Sequence, residues 1–533
     1  MRRRFIFGSL TIIALLLYGG YNYNWIYLLF IIFGPILLLG YYDYFQKSHS
    51  VLRNWPFLGH FRYWLEAIRP EISQYFIETD TSGRPFSRDQ RTVVYTRAKK
   101  VRDTVPFGTL MDVYETGYEW VNHSIAPLHL EAKDLRITVG GPQCKQPYNA
   151  SRLNISAMSF GSLSNNAIEA LNKGAKTGNF AHNTGEGGIS PYHLKHGGDL
   201  IWQIGTGYFG CRTEHGTFNA EAFKEKANLD NVKMIEIKLS QGAKPGHGGI
   251  LPAAKLTPEI AEIRGVPLGR DVLSPPYHSA FQTPLQLMQF INHLRELSNG
   301  KPVGFKLCLG KRREFLAICK AMIQTGIKPD FITVDGGEGG TGAAPLEFTN
   351  HIGAPLMESL IFVDNALRGF DLRKDIRVIS SGKVMTGFSM IKRFALGADM
   401  LNSARAMMMA LGCIQALRCN SNECPVGVAT QDKQLTAGLV VEDKYKKVAN
   451  YHSESLRVVS EMIGAMGLDT PDKLKPWHIL RRTSPVDVKH YGDIYQRLKA
   501  GDLLKTPYPP EFERAMQVAQ AESFESLYDR HAI

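Results

Sequence analysis

FITVDGGEGGTG, residues 331–342, joins a short apolar run to a loop of five glycines and two carboxylates, Asp335 and Glu338. A brief, continuous apolar run closed by glycine reads as a parallel strand buried on both faces. The same unit recurs on either side of it. The expected strands are Leu153 to Met158, Asn179 to His182, Ile201 to Gly205, Met234 to Leu239, Val303 to Leu307, Phe331 to Val334, Val378 to Ser380 and Asp399 to Asn402, with helical patterns between them. Eight such units predict an α/β fold of the (β/α)8 TIM-barrel type. The brevity of the second and third strands leaves a doubly wound sheet open on count alone. Placement of the polar residues favours the barrel: SFGSLS, NTGEGG, QGAKPGHGG, DGGEGGTG and SSGKVMTG all follow strands directly, where a barrel builds its active site.

The chain has 533 residues, 44% of them hydrophobic, enough to bury a large core. Its formal charge is +12, but Lys and Arg are scattered, with short runs only at Arg2 to Arg4 and Lys311 to Arg313 and no aromatic stacking motif among them. Nucleic acid is therefore not an expected partner. A basic face toward anionic membrane lipid or an acidic substrate accounts for the charge more economically. Four segments are expected: a transmembrane helical hairpin (1–46), an N-terminal extension packing on the barrel (47–150), the barrel with its cysteine loop (151–434), and a helical C-terminal extension (435–533) ending in an amphipathic helix from Pro510 to Tyr528.

The first segment differs in composition from the rest. Two uncharged apolar stretches, Phe5 to Tyr21 and Trp25 to Tyr42, are separated by Asn22 and Asn24. Each is close to the shortest helix that crosses a bilayer core. Arg2, Arg3 and Arg4 flank one end and Lys47 and Arg53 the other, so the positive-inside rule predicts a two-helix anchor in the cell membrane with the catalytic part in the cytoplasm. A cleaved signal peptide is the alternative for the first stretch, but no small-residue cleavage pattern follows it.

Two loops late in the chain, Ser380-Ser381-Gly382-Lys383 and Asn402-Ser403-Ala404-Arg405, stand where barrels bind phosphate between their seventh and eighth units. FMN is the ligand this position suggests. Lys306 ends the apolar run VGFKL, where a buried ammonium needs an anion such as a flavin ring; snorkelling to solvent is the alternative. Lys238 has Glu236 two residues away on the same strand face and is expected to pair with it. Glu186 stands between glycines in NTGEGG with room to act as acid, base or imine partner, or simply to cap a helix. Lys244 and Arg264 supply cations for a dicarboxylate, or form a solvated pair. His247, Glu338 and Asp335 add titratable groups at the same face. Cys413, Cys419 and Cys424 fall within twelve residues, on a loop that Pro425 and Gly427 keep out of helix. Three converging thiolates suit a [3Fe-4S] cluster; three structural thiols in a reducing compartment are the alternative. The other four cysteines show no disulfide framework.

Taken together, ISAMSFGSLS, HNTGEGG, EIKLSQGAKPGHGG, LPAAKLTPEIAEIRG, DGGEGGTGAAP, SGKVMTG and GCIQALRCNSNECPVGVATQD, in that order from Ile137 to Lys433, resemble the FMN-binding synthase portion of glutamate synthase. The resemblance implies a barrel carrying FMN, a [3Fe-4S] cluster on Cys413, Cys419 and Cys424, and reduction of the imine made from 2-oxoglutarate and ammonia. It implies that Ser159 and Lys306 face the flavin, that Gly336, Gly337, Gly340 and Thr341 form the loop beneath it, and that Ser381, Gly382, Ser403 and Ala404 cradle its phosphate. Glu186, Lys244 and Arg264 are similar to the residues around the keto acid.

Three departures accompany the resemblance. Ile250 stands where the family usually has a glutamine, and His247 replaces an acidic residue. Met1-Arg2-Arg3-Arg4 stands where a glutaminase cysteine would begin the mature chain, so ammonia is expected from solution or a partner protein and electrons from a donor protein. The family's C-terminal β-helix has no counterpart after the cysteine loop. A competing expectation is an FMN oxidoreductase for another 2-keto or amino acid that exchanges electrons with a membrane quinone. A catalytically idle anchor subunit is the third.

Overall fold

Eight parallel strands close into a barrel: β1 (Leu153–Ile155), β2 (His182–Asn183), β3 (Leu200–Ile204), β4 (Val232–Lys238), β5 (Val303–Cys308), β6 (Phe331–Asp335), β7 (Arg377–Ser381) and β8 (Met400–Ser403). Each strand pairs with the next in sequence, and β8 returns to β1 through Leu401 opposite Leu153. The computed structural model describes residues 2–101 and 104–525. Every strand foreseen in the sequence is in the barrel, including the two-residue β2, which joins its neighbours through His182 opposite Leu200 and Ile155. The strands are apolar because both faces are covered: β3 and β6 are buried throughout.

The barrel interior also holds a carboxylate. Glu236 in β4 accepts hydrogen bonds from Asn183 Nδ2 at 2.8 Å, Gln203 Nε2 at 2.7 Å and Thr333 Oγ1 at 2.6 Å. Donors from three other strands offset its desolvation. The strand-starting end is plugged by an antiparallel pair, Arg136–Val139 and Tyr148–Ser151. Ile137, Val139, Tyr148 and Ala150 from that pair share one apolar cluster with Ala181, Ile201, Met234, Phe331, Ile379 and Met400 of the barrel.

Helices begin where the sequence supplies caps. Ser164, Thr257, Thr283 and Thr386 each accept from the backbone N–H three residues on, meeting a donor the helix leaves free. The 25-residue helix Val441–Ala465 packs on Asn165–Gly178. Gly174 permits their approach: a Cβ there would lie 2.8 Å from Val448.

The C-terminal extension is not wholly helical. Ile479–Ser484 and Asp487–His490 form a hairpin that adds Glu119–Val121 as a third antiparallel strand. The final helix covers Pro510–Val518 and ends there; residues 526–528 of the expected helix lie outside the described residues.

The chain divides into two compact units, residues 1–88 and 89–533, so residues 89–150 group with the barrel. In the first unit, helix Arg2–Asn22 and the helical run Asn24–Phe45 are both long and apolar enough to cross a membrane. Ser9 Oγ and Tyr41 OH join them at 2.7 Å. The stretch from Trp55 to Ile77 forms short broken helices.

Candidate functional site

The loops that leave the strands bring four of the expected residues together. Glu186 follows β2, and its Oε1 lies 2.9 Å from Nζ of Lys238 at the end of β4. This corrects the expected pairing of Lys238 with Glu236, which spends its oxygens on Asn183, Gln203 and Thr333. Lys244 and Arg264 act on the same carboxylate. Burial would raise the Glu186 carboxyl, but Lys238, Arg264 and Lys244 together hold it below the usual range. Glu186 is therefore an ionised acceptor, not a proton donor, at neutral pH.

The cations carry the opposite cost. Burial and the neighbouring Lys238 push Lys244 down to about 8, against the pull of Glu186. Its Nζ donates to Ala343 O at 2.9 Å. Burial pushes Arg264 down to about 10, again against Glu186. Arg264 Nη2 donates to Phe160 O at 3.0 Å and Ser159 Oγ at 3.3 Å, and its guanidinium lies 5.1 Å from the Phe209 ring centre. Three cations face one carboxylate here, a surplus that attracts an anionic ligand.

Glycine lets the loops meet around these groups. A Cβ on Gly249 would come within 2.3 Å of Glu186 Oε1, and one on Gly187 within 3.0 Å of Arg264 Nη2. Ile250 follows Gly249 in a two-residue strand paired with Val272–Leu273. His247 turns aside, its Nδ1 2.9 Å from Gly248 O and its ring edge-on to Phe348.

Beside this cluster, Lys306 in β5 pairs with Asp335 at the end of β6, 3.1 Å apart and both buried. Burial opposes the Lys306 charge, but Asp335 and then Glu236 outweigh it and hold the ammonium above its ordinary range. Lys306 thus has a protein anion and does not reach to solvent. Asp335 Oδ2 also accepts from Gly242 N at 3.1 Å. Gly336 N donates to Ser381 O at 3.3 Å, and Gly337 N to Ala354 O at 2.8 Å, so the loops after β6 and β7 touch. Gly382 has φ +116°, a conformation glycine adopts without strain. Ser403 Oγ donates to Val384 O, and Ala404 caps helix Arg405–Leu411. Gly340 lies against Arg405, whose Nη2 donates to Glu338 O, while Thr341 is exposed. The buried Ser380 Oγ and Asn402 Oδ1, next to these two turns, have no partner in the described structure.

The three cysteines share one loop, and their thiols feel one another. Burial first, then Cys419 and Cys424, push the Cys413 thiol up to about 11, with the backbone at Gln415 opposing. Cys419 is raised by burial and Cys424, and lowered by Lys255. Lys255 Nζ donates to Ser162 O at 2.8 Å and Cys419 O at 3.1 Å. A Cβ on Gly342, in the loop after β6, would lie 3.9 Å from Cys419 Cβ, so the cysteine loop reaches the barrel mouth. Among the described residues, no three His, Cys, Asp or Glu side chains are gathered into a ready-made metal site.

Lys255 is the site residue that sequence reasoning passed over; it lies in a short turn, Ala253–Lys255, and not at the end of a barrel strand.

These features coincide with similarity to known proteins. The pattern of the conserved region in glutamate synthase matches residues 111–469. The glutamate synthase large subunit-like protein YerD of Bacillus subtilis (strain 168) is 37% identical over 492 residues, covering 84% of this chain and 93% of that protein. An archaeal-type glutamate synthase of Thermotoga neapolitana is 34% identical over 320 residues, 60% of each chain. The glutamate synthase large chain of Bacillus subtilis is 31% identical over 386 residues, 71% of this chain but 24% of that one. The matched region takes in the whole barrel, Glu186 with its cations and the cysteine loop, and the chain belongs to the glutamate synthase family, as an oxidoreductase.

Proposed function

We propose that the barrel mouth binds FMN and a 2-keto dicarboxylate, and that the enzyme reduces the imine of 2-oxoglutarate and ammonia to L-glutamate. The observation that carries this reading is the buried Lys238–Glu186 pair flanked by Lys244 and Arg264. Lys244 and Arg264 are free to bind carboxylates, since Lys238 already neutralises Glu186. The ionised Glu186 then accepts an N–H from the imine nitrogen and orients the carbon–nitrogen bond.

FMN fits the neighbouring loops. Ser380 Oγ and Asn402 Oδ1 are left unsatisfied beside the turns Ser381-Gly382 and Ser403-Ala404, and Gly336, Gly337, Gly340 and Thr341 form the adjacent loop, with Ser159 and Lys306 at its edges. When bound, FMN supplies the two reducing equivalents that the imine consumes. Lys306, kept cationic by Asp335, sets a positive charge in the floor of that site. The thiols of Cys413, Cys419 and Cys424, on one loop, would hold a [3Fe-4S] cluster, which would supply one-electron transfer from a donor protein, and the cation of Lys255 would complement its negative charge. Ammonia arrives from solution or from a partner protein. The two apolar helices anchor the enzyme in the cell membrane, with Arg2 to Arg4 and Lys47 holding both ends, and the barrel, at the cytoplasmic face.

A second reading, reduction or oxidation of a less polar 2-keto or amino acid with electrons exchanged through a membrane quinone, is favoured by one observation: apolar Ile250 follows Gly249, which touches Glu186. Anaerobic reoxidation of the prereduced protein separates the two. Acceleration by 2-oxoglutarate only with ammonium supports glutamate synthesis. Indifference to dicarboxylates, with acceleration by a quinone analogue, supports the second reading and overturns the first.

A further inference from the structure

At the opposite end of the strands, where β7 and β8 begin, the chain forms a half-open cavity of about 380 Å³. Six cationic side chains and three carboxylates line it. Its floor is internally satisfied: Arg373 bridges Asp364 at 2.7 Å and Asp399 at 2.9 Å, and Arg368 holds Asp364 at 2.6 Å. Lys374 pairs with Asp371 at 3.3 Å; the other three cations have no carboxylate partner among the described residues. Arg377 donates to a backbone carbonyl, Thr138 O, and Lys475 to another, Asp472 O. Arg497 has no hydrogen-bond or ion-pair partner among the described residues, and no carboxylate pairs with any of the three.

We propose that this cavity is a binding site for a small organic phosphate, with Arg377, Lys475 and Arg497 receiving the phosphoryl group. Three unmatched cations are more than a single carboxylate neutralises and suit the double charge of a phosphate monoester, which guanidinium groups bind in a fork. Phe394, Pro471 and Leu474 supply an apolar wall for the carbon portion, and the volume falls within the range of small-molecule sites. Burial, then Arg368 and Arg373, hold Arg497 below its ordinary range against the pull of Asp364, and burial with Arg497 and Arg368 does the same to Lys475 against Asp472 and Asp364, so an added anion is favoured here. Pro471, Leu474, Lys475 and Arg497 all follow residue 469, where the family match ends. The C-terminal extension therefore completes a site whose other side is the start of β7, and the site stands apart from the barrel mouth.

The test is calorimetric titration of the full chain, as purified, with adenosine 5′-monophosphate and separately with inorganic phosphate. The nucleotide is expected to bind more tightly than phosphate, and each contact to weaken as salt is raised. Arg497→Glu is expected to weaken nucleotide binding by roughly tenfold or more, with Arg497→Ala intermediate, while the visible spectrum and thermal midpoint stay unchanged. Absence of binding by either ligand, or unaltered affinity in a folded Arg497→Glu, overturns the proposal. Equal affinity for phosphate and nucleotide overturns its organic part.

Discussion

Glu186 is placed so that its charge, not its proton, is useful, and this sets the expected behaviour of its variants. Glu186→Gln keeps the shape but leaves Lys238 without its counter-charge. Turnover with 2-oxoglutarate and ammonium should fall by roughly a hundredfold or more, read as initial rate at saturating substrate. Lys244 gives a pH signature. Its ammonium titrates at about 8 in the fold against 10.5 in a free lysine, so the unfolded chain binds more protons between those values. This group therefore adds stability to the fold as pH rises through that window. Affinity for a dicarboxylate runs the other way, because only the protonated form attracts it: the dissociation constant should climb above about pH 8, and Lys244→Met should abolish that slope. Gly242 shows the tolerance of the loops. A Cβ there would sit 1.7 Å from Gly336 O, so Gly242→Ala should separate the loops after β4 and β6 and release Asp335 from Gly242 N, seen as a lower thermal midpoint. The sequence showed Glu186, Lys244 and Arg264 because charge among glycines after a strand is conspicuous. It misplaced Lys238 because partners on neighbouring strands are invisible along a single one, and Glu236 was already engaged by three of them.

At the scale of elements, a cap and a loop carry the site. Helix Pro258–Arg264 delivers Arg264 and is held at its start by Thr257 Oγ1, which accepts from Ile260 N, and at its end by Gly265 at φ +65°. Thr257→Ala should cost about 1 kcal/mol, measured by denaturant unfolding, and should weaken keto-acid affinity more than turnover because it loosens a binding group. In the cysteine loop, Cys424→Ser should lower bound iron in the purified protein without changing the barrel's far-ultraviolet circular dichroism. The strands of the barrel were legible because burial on both faces leaves continuous apolar runs closed by glycine. The hairpin Ile479–Ser484 with Asp487–His490 was not. Its mixed sequence, LRRTS and DVKH, alternates weakly, and its third strand lies far upstream.

For the whole molecule, the contrast between the two units frames the remaining expectation. Helices Arg2–Asn22 and Asn24–Phe45 expose large apolar side chains such as Phe7, Ile31 and Leu38, surface that water penalises. The protein should sediment with membranes, resist release by high salt, and come free with detergent. The two apolar helices were legible from their apolar runs, whereas the broken helices after them were not, because aromatic and charged residues alternate there without a steady period.

The strand Glu119–Val121 has a consequence for how the molecule comes into being. Its ladder partner is Ile479–Ser484, and Glu119 meets Arg481 from 362 positions along the chain and also meets Lys392 and Tyr491. During synthesis that early segment waits, edge unpaired, until residues 479–484 have left the ribosome. The seam can close only after that partner strand is made, and until then the edge around Trp120 is open to pairing with another chain.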